Sequence, residues 1–363
     1  MIKIAIVVGT RPEIIKMSPI VRYCEEKRLN YFIIHTGQHY SYEMDKIFFK
    51  ELELPSPKYN LNVGSAVYGK QLGKMIRGIQ EKLASEKPDI VLVLGDTNST
   101  LAGTLAAHNL GIKLAHIESG LRTYELMYEE INRVLVGIYS SLLFAPTEKS
   151  RNNLLNEDIP KDRIFVTGNT IVDAVLQNLE ISNRKSGILK KLNLEGGKYI
   201  LLTAHRVETV DEEKHFNGVI KGIELVINEF GLPIIFPMHP RTKKNMNNMG
   251  LKMPKGVVAI DPVGYLDMLQ LISNAKVVIT DSGGLQEETC TLKVPCITIR
   301  ECTERGETVE IGCNVLAGYD PQKILECTKQ MVTKSKNWKN PYGDGNSAKK
   351  IMEIILSSFE EKK

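Results

Sequence analysis

The sequence has no apolar run approaching the ~18 residues needed to span a membrane. Its opening residues, MIKIAIVVGTRPE, end a short apolar run in Gly-Thr-Arg-Pro and carry no small-residue cleavage site, so they do not resemble a signal peptide. The excess of positive over negative charge is also small: the net charge is +4, and the charged residues are spread along the chain. That balance gives no argument for nucleic acid. We expect a cytoplasmic protein without a nucleic-acid or membrane partner.

Cysteine is present but lacks the spacing of a common zinc site. The six cysteines include no CxxC pair, and the four between residues 290 and 313 are separated by 6, 6 and 11 positions. We expect reduced, mostly buried thiols and no metal. The cysteines are Cys24, Cys290, Cys296, Cys302, Cys313 and Cys327.

Alternating strands and helices dominate what is present. The 363 residues are enough for two domains at ~150 residues each. Near-continuous apolar runs, typical of parallel strands covered on both faces, predict two doubly wound α/β domains. A polar stretch at 182–198 is the expected linker. The predicted strands are 3–9, 31–37, 89–95, 113–119, 142–147 and 163–169 before it, and 199–205, 233–239, 256–261, 276–281 and 294–299 after it.

Residues able to bind or react follow these strands, at the sheet edge where such folds bind ligands. Arg11 and Lys16 flank a helix start after the first strand, where they either face one anion or are merely solvated. That loop contains neither G-x-G-x-x-G nor G-x-x-x-x-G-K-[ST], so a nicotinamide or P-loop site is unsupported. Asp96 follows the DIVLVLG strand, either as a site residue or as a helix N-cap.

More carboxylates follow the next strand, KLAHIES. If the strand stays extended, His116 and Glu118 lie on one face. Glu129 and Glu130 come shortly afterwards, ahead of an apolar helix. Asp96, Glu118 and one of these two glutamates are expected at one sheet edge. Such a cluster is costly unless some members are protonated or face a cation, which favours a functional site.

The second half presents His205 after one strand and the stretch TDSGGLQEE after another. Ser282 either caps the helix that starts there or, with the two glycines that follow, cradles a phosphate at the helix start. Glycine lets the backbone approach an anion closely, which favours the phosphate. Glu288 is placed to accept hydrogen bonds from ribose hydroxyls, and Arg305 to close over a diphosphate.

These motifs make the chain resemble the non-hydrolysing UDP-N-acetylglucosamine 2-epimerases. They cover nearly the whole chain in order and are highly specific as a set. They are GTRPEIIK (9–16), TGQH (36–39), GDTNST (95–100), HIESGLRT (116–123), EEINR (129–133), PTEKSRNNLL (146–155), VTGNTIVDA (166–174), AHR (204–206), TDSGGLQEE (280–288), TER (303–305) and NPYGDG (340–345).

The resemblance implies two Rossmann-like domains in the glycosyltransferase-B architecture, an interdomain active-site cleft and a homodimer. We expect a first domain at 1–175 with the acid/base carboxylates. A UDP-binding domain at 176–345 and a last helix at 346–363, crossing back to the first domain, complete the chain.

The resemblance also implies reversible C2 epimerisation of UDP-N-acetylglucosamine by elimination and re-addition of UDP, with no cofactor. It assigns acid/base roles to Asp96, Glu118 and Glu129 and assistance to the leaving diphosphate to His205. The loop before Glu129 is shorter than in many relatives and lacks their proline, which leaves Glu130 as an alternative. The expected UDP-binding residues are Arg11, Lys16, Arg133, Met268 (near uracil), Ser282, Gly283, Gly284, Glu288 and Arg305.

Some positions depart from relatives that bind a second UDP-N-acetylglucosamine as an activator. Tyr40, Val207 and Pro240-Arg241 replace the residues that bind it, so we expect no activation of that kind. The TGQHY and HPRT patterns also occur in relatives that epimerise other UDP-2-acetamido sugars, which leaves the exact sugar open. A UDP-sugar glycosyltransferase of the same fold, a hydrolysing epimerase and a non-catalytic nucleotide-sugar sensor are the less favoured alternatives.

Overall fold

The computed structural model describes residues 2–38, 42–123 and 127–360, without the side chains of residues 42–46. Strands and helices alternate along it. The first half contains β1 (Lys3–Val8), α1 (Arg11–Glu26), β2 (Asn30–His35), α2 (Tyr42–Glu51), β3 (Tyr59–Asn60), α3 (Tyr68–Glu86), β4 (Ile90–Leu94), α4 (Asn98–Asn109), β5 (Lys113–Ile117), α5 (Tyr128–Tyr139), β6 (Leu142–Ala145), α6 (Glu148–Asn156), a 3-10 turn (Lys161–Arg163), β7 (Ile164–Val166) and α7 (Thr170–Lys185).

The second half continues the alternation. It contains α8 (Ile188–Lys191), β8 (Ile200–Thr203), α9 (Val207–Val210), α10 (Glu213–Phe230), β9 (Ile234–Pro237), α11 (Pro240–Asn248), β10 (Val257–Ile260), α12 (Tyr265–Ser273), β11 (Val278–Thr280), α13 (Gly283–Thr291), β12 (Cys296–Thr298), α14 (Gly306–Glu310), β13 (Asn314–Leu316), α15 (Pro321–Val332) and α16 (Ser347–Glu360).

The strands form two parallel sheets. The first has the order β3-β2-β1-β4-β5-β6-β7, and the second has the order β10-β9-β8-β11-β12-β13. In each sheet the direction of chain progression reverses once, between β1 and β4 and between β8 and β11. Ligands of doubly wound sheets bind outside the carboxyl ends of the strands at such switch points. The expected α/β class with two doubly wound sheets is confirmed.

The sheets form because their strands are apolar on both faces. All five residues of β4, IVLVL, are buried. In β8, Ile200 and Leu202 enter one apolar cluster while Leu201 enters the other, which covers the opposite face of the same sheet. Burial on both faces explains why these strands read as continuous apolar runs rather than alternating ones.

The chain divides into two compact units. Unit 1 comprises Met1–Ala174 with Tyr342–Lys363, and unit 2 comprises Val175–Pro341. The predicted boundaries were 175/176 and 345/346. The predicted linker at 182–198 is wrong in part, because its first residues complete α7 and residues 188–191 form α8. Its Gly, Lys and Ser content suggested a loop, but α8 is held by packing of Ile188 in an apolar cluster of unit 2.

The last helix belongs to unit 1. The buried Asp173 carboxylate accepts hydrogen bonds from the backbone N–H groups of Ser347 (3.2 Å) and Ala348 (2.9 Å), at the start of α16. Gly168 has φ +85°, and a Cβ there would lie 2.5 Å from Ser347 Oγ and 2.7 Å from the Tyr342 carbonyl oxygen. Only glycine fits this close approach, so Gly168 and Asp173 of the VTGNTIVDA motif hold the start of α16 in place.

Two further features were expected from composition. Within the described ranges, no helix is long and apolar enough to cross a membrane. Cys24, Cys290, Cys296 and Cys313 are buried free thiols, Cys327 is half-buried and Cys302 is exposed. The prediction of mostly buried, reduced thiols is confirmed.

Candidate active site

The first group of site residues follows the strands of unit 1. Glu118 comes directly after β5 and has φ +65°, a left-handed conformation that is rare for residues other than glycine. The turn ends the strand, so the expected shared face of His116 and Glu118 is wrong. His116 instead turns inward, with Nε2 2.8 Å from the Gly95 carbonyl oxygen and Nδ1 2.9 Å from Ser119 Oγ. Backbone strain of this kind is concentrated at functional sites.

Glu118 is buried in an ion pair. Its Oε1 lies 2.6 Å from Lys16 Nζ and also accepts a 3.2 Å hydrogen bond from Asn169 Nδ2. Its Oε2 lies 3.6 Å from the place a Cβ on Gly95 would occupy. Glu118 therefore lies against the loop that carries Asp96.

Asp96 lies at the end of β4 beside the switch point. Its Oδ2 is 2.6 Å from Arg133 Nη2 and accepts a 2.8 Å hydrogen bond from Arg133 Nε. Its carbonyl oxygen accepts a 2.8 Å bond from Asn132 Nδ2. Thr97, rather than Asp96, caps α4 by accepting from the Thr100 N–H. Burial raises the pKa of Asp96, opposed by the Arg133 charge, while the Glu118 charge raises it further.

Glu129 and Glu130 have different surroundings. Glu130 pairs with Arg133 (2.7 Å) and accepts 3.1 Å hydrogen bonds from the Thr123 N–H and hydroxyl. Glu129 is exposed on the first turn of α5. The structure thus joins Asp96 to Glu130 through Arg133 and does not bring Glu129 into this cluster. The preceding residues 124–126 lie outside the described part of the chain.

The cations of the first loop have separate partners. Lys16 contacts Glu118, whereas the Arg11 guanidinium lies 5.5 Å from the centre of the Phe48 ring. The interpretation that both cations face one anion stays a prediction. His39 and Tyr40 of the TGQHY motif lie outside the described residues.

The second group follows β8 and β11, on either side of the switch point of unit 2. Asp281 is fully buried, and its Oδ2 accepts hydrogen bonds from the backbone N–H groups of His205 (2.7 Å) and Arg206 (2.8 Å). Its Oδ1 lies 3.3 Å from His205 Nδ1. The buried carboxylate thus orients a histidine whose side chain is 42% exposed.

The Ser-Gly-Gly corner is the start of a helix, as predicted. Ser282 is the N-cap of α13, which begins at Gly283, and its hydroxyl accepts from the Leu285 N–H at 3.5 Å. A Cβ on Gly283 would lie 3.8 Å from Arg206 Nη2 and from Glu304 Oε2, ordinary contact distance. Packing within the protein therefore does not require glycine here. A ligand that approaches the backbone at the positive end of the helix would require a residue without a side chain.

Charged residues surround this corner. Arg305 pairs with the buried Glu287 (2.7 Å), and Glu288 is buried in the second turn of α13. Arg300 binds Glu304 through both terminal nitrogens (3.0 and 3.1 Å). The pKa of Glu304 falls to about 2 because the effect of Arg300 outweighs that of burial. The Glu287 carboxylate thus positions Arg305 without a bound ligand.

A cavity of about 540 Å³ lies beyond the carboxyl end of β10. Ile260, Pro262, Val263 and Gly264 line it, together with residues of α8 and α11. Met268 does not line it and packs instead against the apolar cluster on that face of the sheet. The uracil contact expected for Met268 stays a prediction.

Known proteins with this sequence pattern and fold identify the family. A family model described as UDP-N-acetylglucosamine 2-epimerase matches residues 22–356. The chain belongs to that family. It is 51% identical over 360 residues to the UDP-N-acetylglucosamine 2-epimerase of Methanocaldococcus jannaschii, covering 97% of this chain and 98% of the relative. It is 38% identical over 359 residues to the UDP-2,3-diacetamido-2,3-dideoxy-D-glucuronate 2-epimerase of Pseudomonas aeruginosa, covering 97% and 99%.

Solved structures of this epimerase family share the fold. The crystal structure of the M. jannaschii enzyme in complex with UDP-GlcNAc and UDP matches with a TM-score of 0.88, covering 98% of this chain and 99% of that one. The Neisseria meningitidis enzyme bound to UDP-GlcNAc, at 35% identity, also gives 0.88, covering 98% and 100%. The expected glycosyltransferase-B class, with two Rossmann-like domains, is confirmed.

The sequence analysis missed three residues that hold the site in this epimerase family member. Asn169 contacts Glu118, Asp281 orients His205, and Glu13 accepts hydrogen bonds from both sides of the first switch point. Each lies inside a quoted motif, at a strand end or in a first helical turn. Only their motif membership signalled them, because their partners are distant in sequence.

Proposed function

We propose that this chain interconverts UDP-N-acetylglucosamine and UDP-N-acetylmannosamine. The observation that carries the proposal is a pair of carboxylates at the switch point of unit 1, Asp96 and Glu118, each paired with a cation. Family membership supports it, as does the solved relative in complex with UDP-GlcNAc and UDP.

The reaction needs no redox step. The C1–O bond to UDP breaks and its electron pair leaves with the diphosphate, which gives C1 oxocarbenium character and acidifies the C2 proton. A carboxylate takes that proton, and the C2–H electrons form the C1=C2 bond of a 2-acetamidoglucal. Return of a proton to the opposite face of C2 and re-addition of UDP at C1 complete the inversion. Two carboxylates and a cradle for the leaving group are therefore sufficient.

The different surroundings of the two carboxylates suggest their roles. Glu118 pairs with the Lys16 ammonium at 2.6 Å, and we assign it the role of the base that removes the C2 proton. Burial raises the pKa of Asp96, which suits the acid that returns a proton. Pairs of acids whose environments push their proton affinities apart commonly divide acid and base roles. Glu129 is retained as a further acid/base candidate, with Glu130 as a residue that orients Arg133.

The UDP group is assigned to unit 2. The start of α13, with Ser282 and its two glycines, suits the diphosphate. We propose that Glu288 accepts hydrogen bonds from the ribose and that Arg305, oriented by Glu287, contacts the diphosphate. His205, oriented by Asp281, assists the departing phosphate oxygen. Lys16 and Arg133 contact carboxylates in this structure, so their proposed UDP contacts would be shared with those partners; Arg11 stays a candidate phosphate ligand.

Proton NMR in deuterated water tests the proposal. Purified protein with UDP-N-acetylglucosamine should produce UDP-N-acetylmannosamine, with deuterium entering C2 of both sugars. Release of free N-acetylmannosamine with UDP would instead indicate a hydrolysing enzyme. Absence of any exchange at C2 would refute epimerisation of this substrate.

A second substrate has a specific observation in its favour. The P. aeruginosa relative, 38% identical over nearly the whole chain, is named for UDP-2,3-diacetamido-2,3-dideoxy-D-glucuronate. The same elimination applies to any UDP-2-acetamido sugar, because it involves only C1 and C2. Exchange at C2 of that sugar, without exchange in UDP-N-acetylglucosamine, would favour this alternative.

We further infer a cytoplasmic homodimer. On α5, Tyr128, Ile131 and Ile138 are each at least half exposed, and their spacing places them on one helix face. Exposed apolar faces of this kind mark protein–protein contacts, and a second copy is the occupant we propose. Sedimentation should give twice the chain mass, and Ile138→Glu should lower it to that of a monomer. A monomeric wild-type protein would contradict the assignment.

A further inference from the structure

Glu13 is a buried carboxylate in the first turn of α1, between the loop after β1 and the loop after β4 that carries Asp96. Its side chain is 1% exposed, and among the residues that the structure describes no Lys or Arg pairs with it. Its Oε2 accepts hydrogen bonds from the Gly9 N–H (3.0 Å) and the Thr10 hydroxyl (2.9 Å). Its Oε1 accepts from the hydroxyl of Thr97 (2.7 Å) and lies 3.2 Å from the hydroxyl of Thr100, which also donates to the Leu94 carbonyl oxygen at 2.6 Å. The Gly9 N–H and the Thr10 and Thr97 hydroxyls donate to this carboxylate, whose pKa burial raises.

Half of this arrangement has an ordinary structural explanation. Thr10 is the N-cap of α1, but its side chain caps no backbone N–H, and Glu13 in the first helical turn accepts from the Gly9 N–H and the Thr10 hydroxyl. This local interaction at the helix start accounts for the bonds to Gly9 and Thr10. It does not account for the bonds to Thr97 and Thr100, which join the β1 loop to the β4 loop across the switch point.

The bond to Thr97 also affects the position of Asp96, the residue directly before it in the chain. Thr97 Oγ1 donates to Glu13 and accepts from the Thr100 N–H, while the Asp96 carbonyl oxygen accepts from Asn132. The peptide between Asp96 and Thr97 is thus held from both sides. One turn along α1 from Glu13, Lys16 holds Glu118. Glu13 therefore connects Thr97, which adjoins Asp96, with the helix that carries Lys16, the partner of Glu118. It contacts neither Asp96 nor Glu118 itself.

We propose that Glu13 is a positioning residue that fixes the Asp96 loop relative to the Lys16–Glu118 pair. The inference rests on the proposed function and deepens it. A misplaced acid slows proton transfer at C2 but leaves the binding of UDP intact, because the proposed UDP residues lie mainly in unit 2. The expected signature is a loss of kcat with little change in KM.

The test compares Glu13→Gln, Thr97→Val and Thr97→Ser in the full-length protein. Gln presents an amide N–H₂ to a donor neighbour, and Val removes the hydroxyl that links Glu13 to Asp96. Both should lower kcat at least tenfold, with KM within about threefold of wild type. Thr97→Ser keeps the hydroxyl and should retain most of the activity. Should Glu13→Gln fail to fold, the Thr97 pair carries the test alone.

Thr147→Val is the matched control for a structural effect. Thr147 caps α6 by accepting from the Ser150 N–H at 3.2 Å, the same length as the Thr97 cap. It should lose a similar amount of stability and keep wild-type kcat. Wild-type kcat in folded Glu13→Gln or Thr97→Val, or a rise in KM alone, would overturn the inference. Absence of C2 exchange in the wild-type protein would overturn the proposed function itself.

Discussion

Replacement of Glu118 by Gln tests the proposed base and the buried ion pair together. The variant keeps the shape of the side chain and removes its charge. The Lys16 ammonium, 2.6 Å away, then loses this ion-pair partner in a site where the two side chains are 11% and 5% exposed. Removing one partner of a buried ion pair costs about 3–5 kcal/mol. We therefore expect both a loss of stability and a loss of turnover.

A double variant separates the two effects. Lys16→Met with Glu118→Gln removes the charge of Lys16 as well, so most of the lost stability should return while turnover stays absent. Urea unfolding followed by circular dichroism measures stability, and deuterium entry at C2 measures turnover. Glu81→Gln is the surface control, because Glu81 pairs with Arg77 (3.0 Å) where both side chains are largely exposed. Such a pair contributes little, so this variant should match wild type in both assays.

Binding of UDP decides how the result is interpreted. Calorimetry should show nearly unchanged UDP affinity in Glu118→Gln, because the proposed UDP cradle at α13 is untouched. Turnover at the wild-type rate in this variant would refute Glu118 as the base. A joint collapse of UDP affinity and activity would instead make Glu118 a binding or structural residue.

Three further predictions follow from the same structure. Glu288→Ala should weaken UDP binding by about 1.5–3 kcal/mol in calorimetry, the range for a lost hydrogen bond to a charged group, and unchanged affinity would contradict the ribose contact. Burial lowers the pKa of His35 and of His116 to about 4, so each stabilises the fold fully only above pH ~6.5, and its contribution is lost as pH falls from 6.5 towards 4. Thermal melting should therefore show a midpoint that declines across that window, and a flat midpoint would refute it. Initial rates should depend hyperbolically on UDP-N-acetylglucosamine, because the family resemblance implies that Val207 and Arg241 stand where other members bind the activator. Arg241 also pairs with Asp211 (2.5 Å), and a sigmoidal curve would contradict the prediction.

The strands that the sequence predicts are those with long apolar runs. Such runs are needed wherever a strand is covered on both faces, so β1, β4 and β8 are apparent without any tertiary information. The missed strands, β3 (Tyr59–Asn60) and β13 (Asn314–Leu316), are short and lie at sheet edges. The other edge strands, β7 and β10, carry apolar runs that the sequence predicts, whereas β3 and β13 are identified only by their pairing with β2 and β12.

The start of α13 was predictable for a similar local reason. A strand that ends in Asp-Ser-Gly-Gly places a capping hydroxyl directly before a helix, and both features are written in consecutive residues. The choice between Glu129 and Glu130 was not predictable in that way. The two are neighbours with the same side chain, and only the position of Arg133 and Thr123 shows which one is held at the Asp96 cluster.

The sequence alone determined the fold class, the family and the chemical groups available at each strand end, because these depend on local pattern and residue type. Tertiary structure decided which groups work together. Lys16 meets Glu118 across 102 positions, and Arg133 meets Asp96 across 37. The energy of an ion pair depends on the separation of its charges and on their removal from water, and neither quantity is set until the chain has folded.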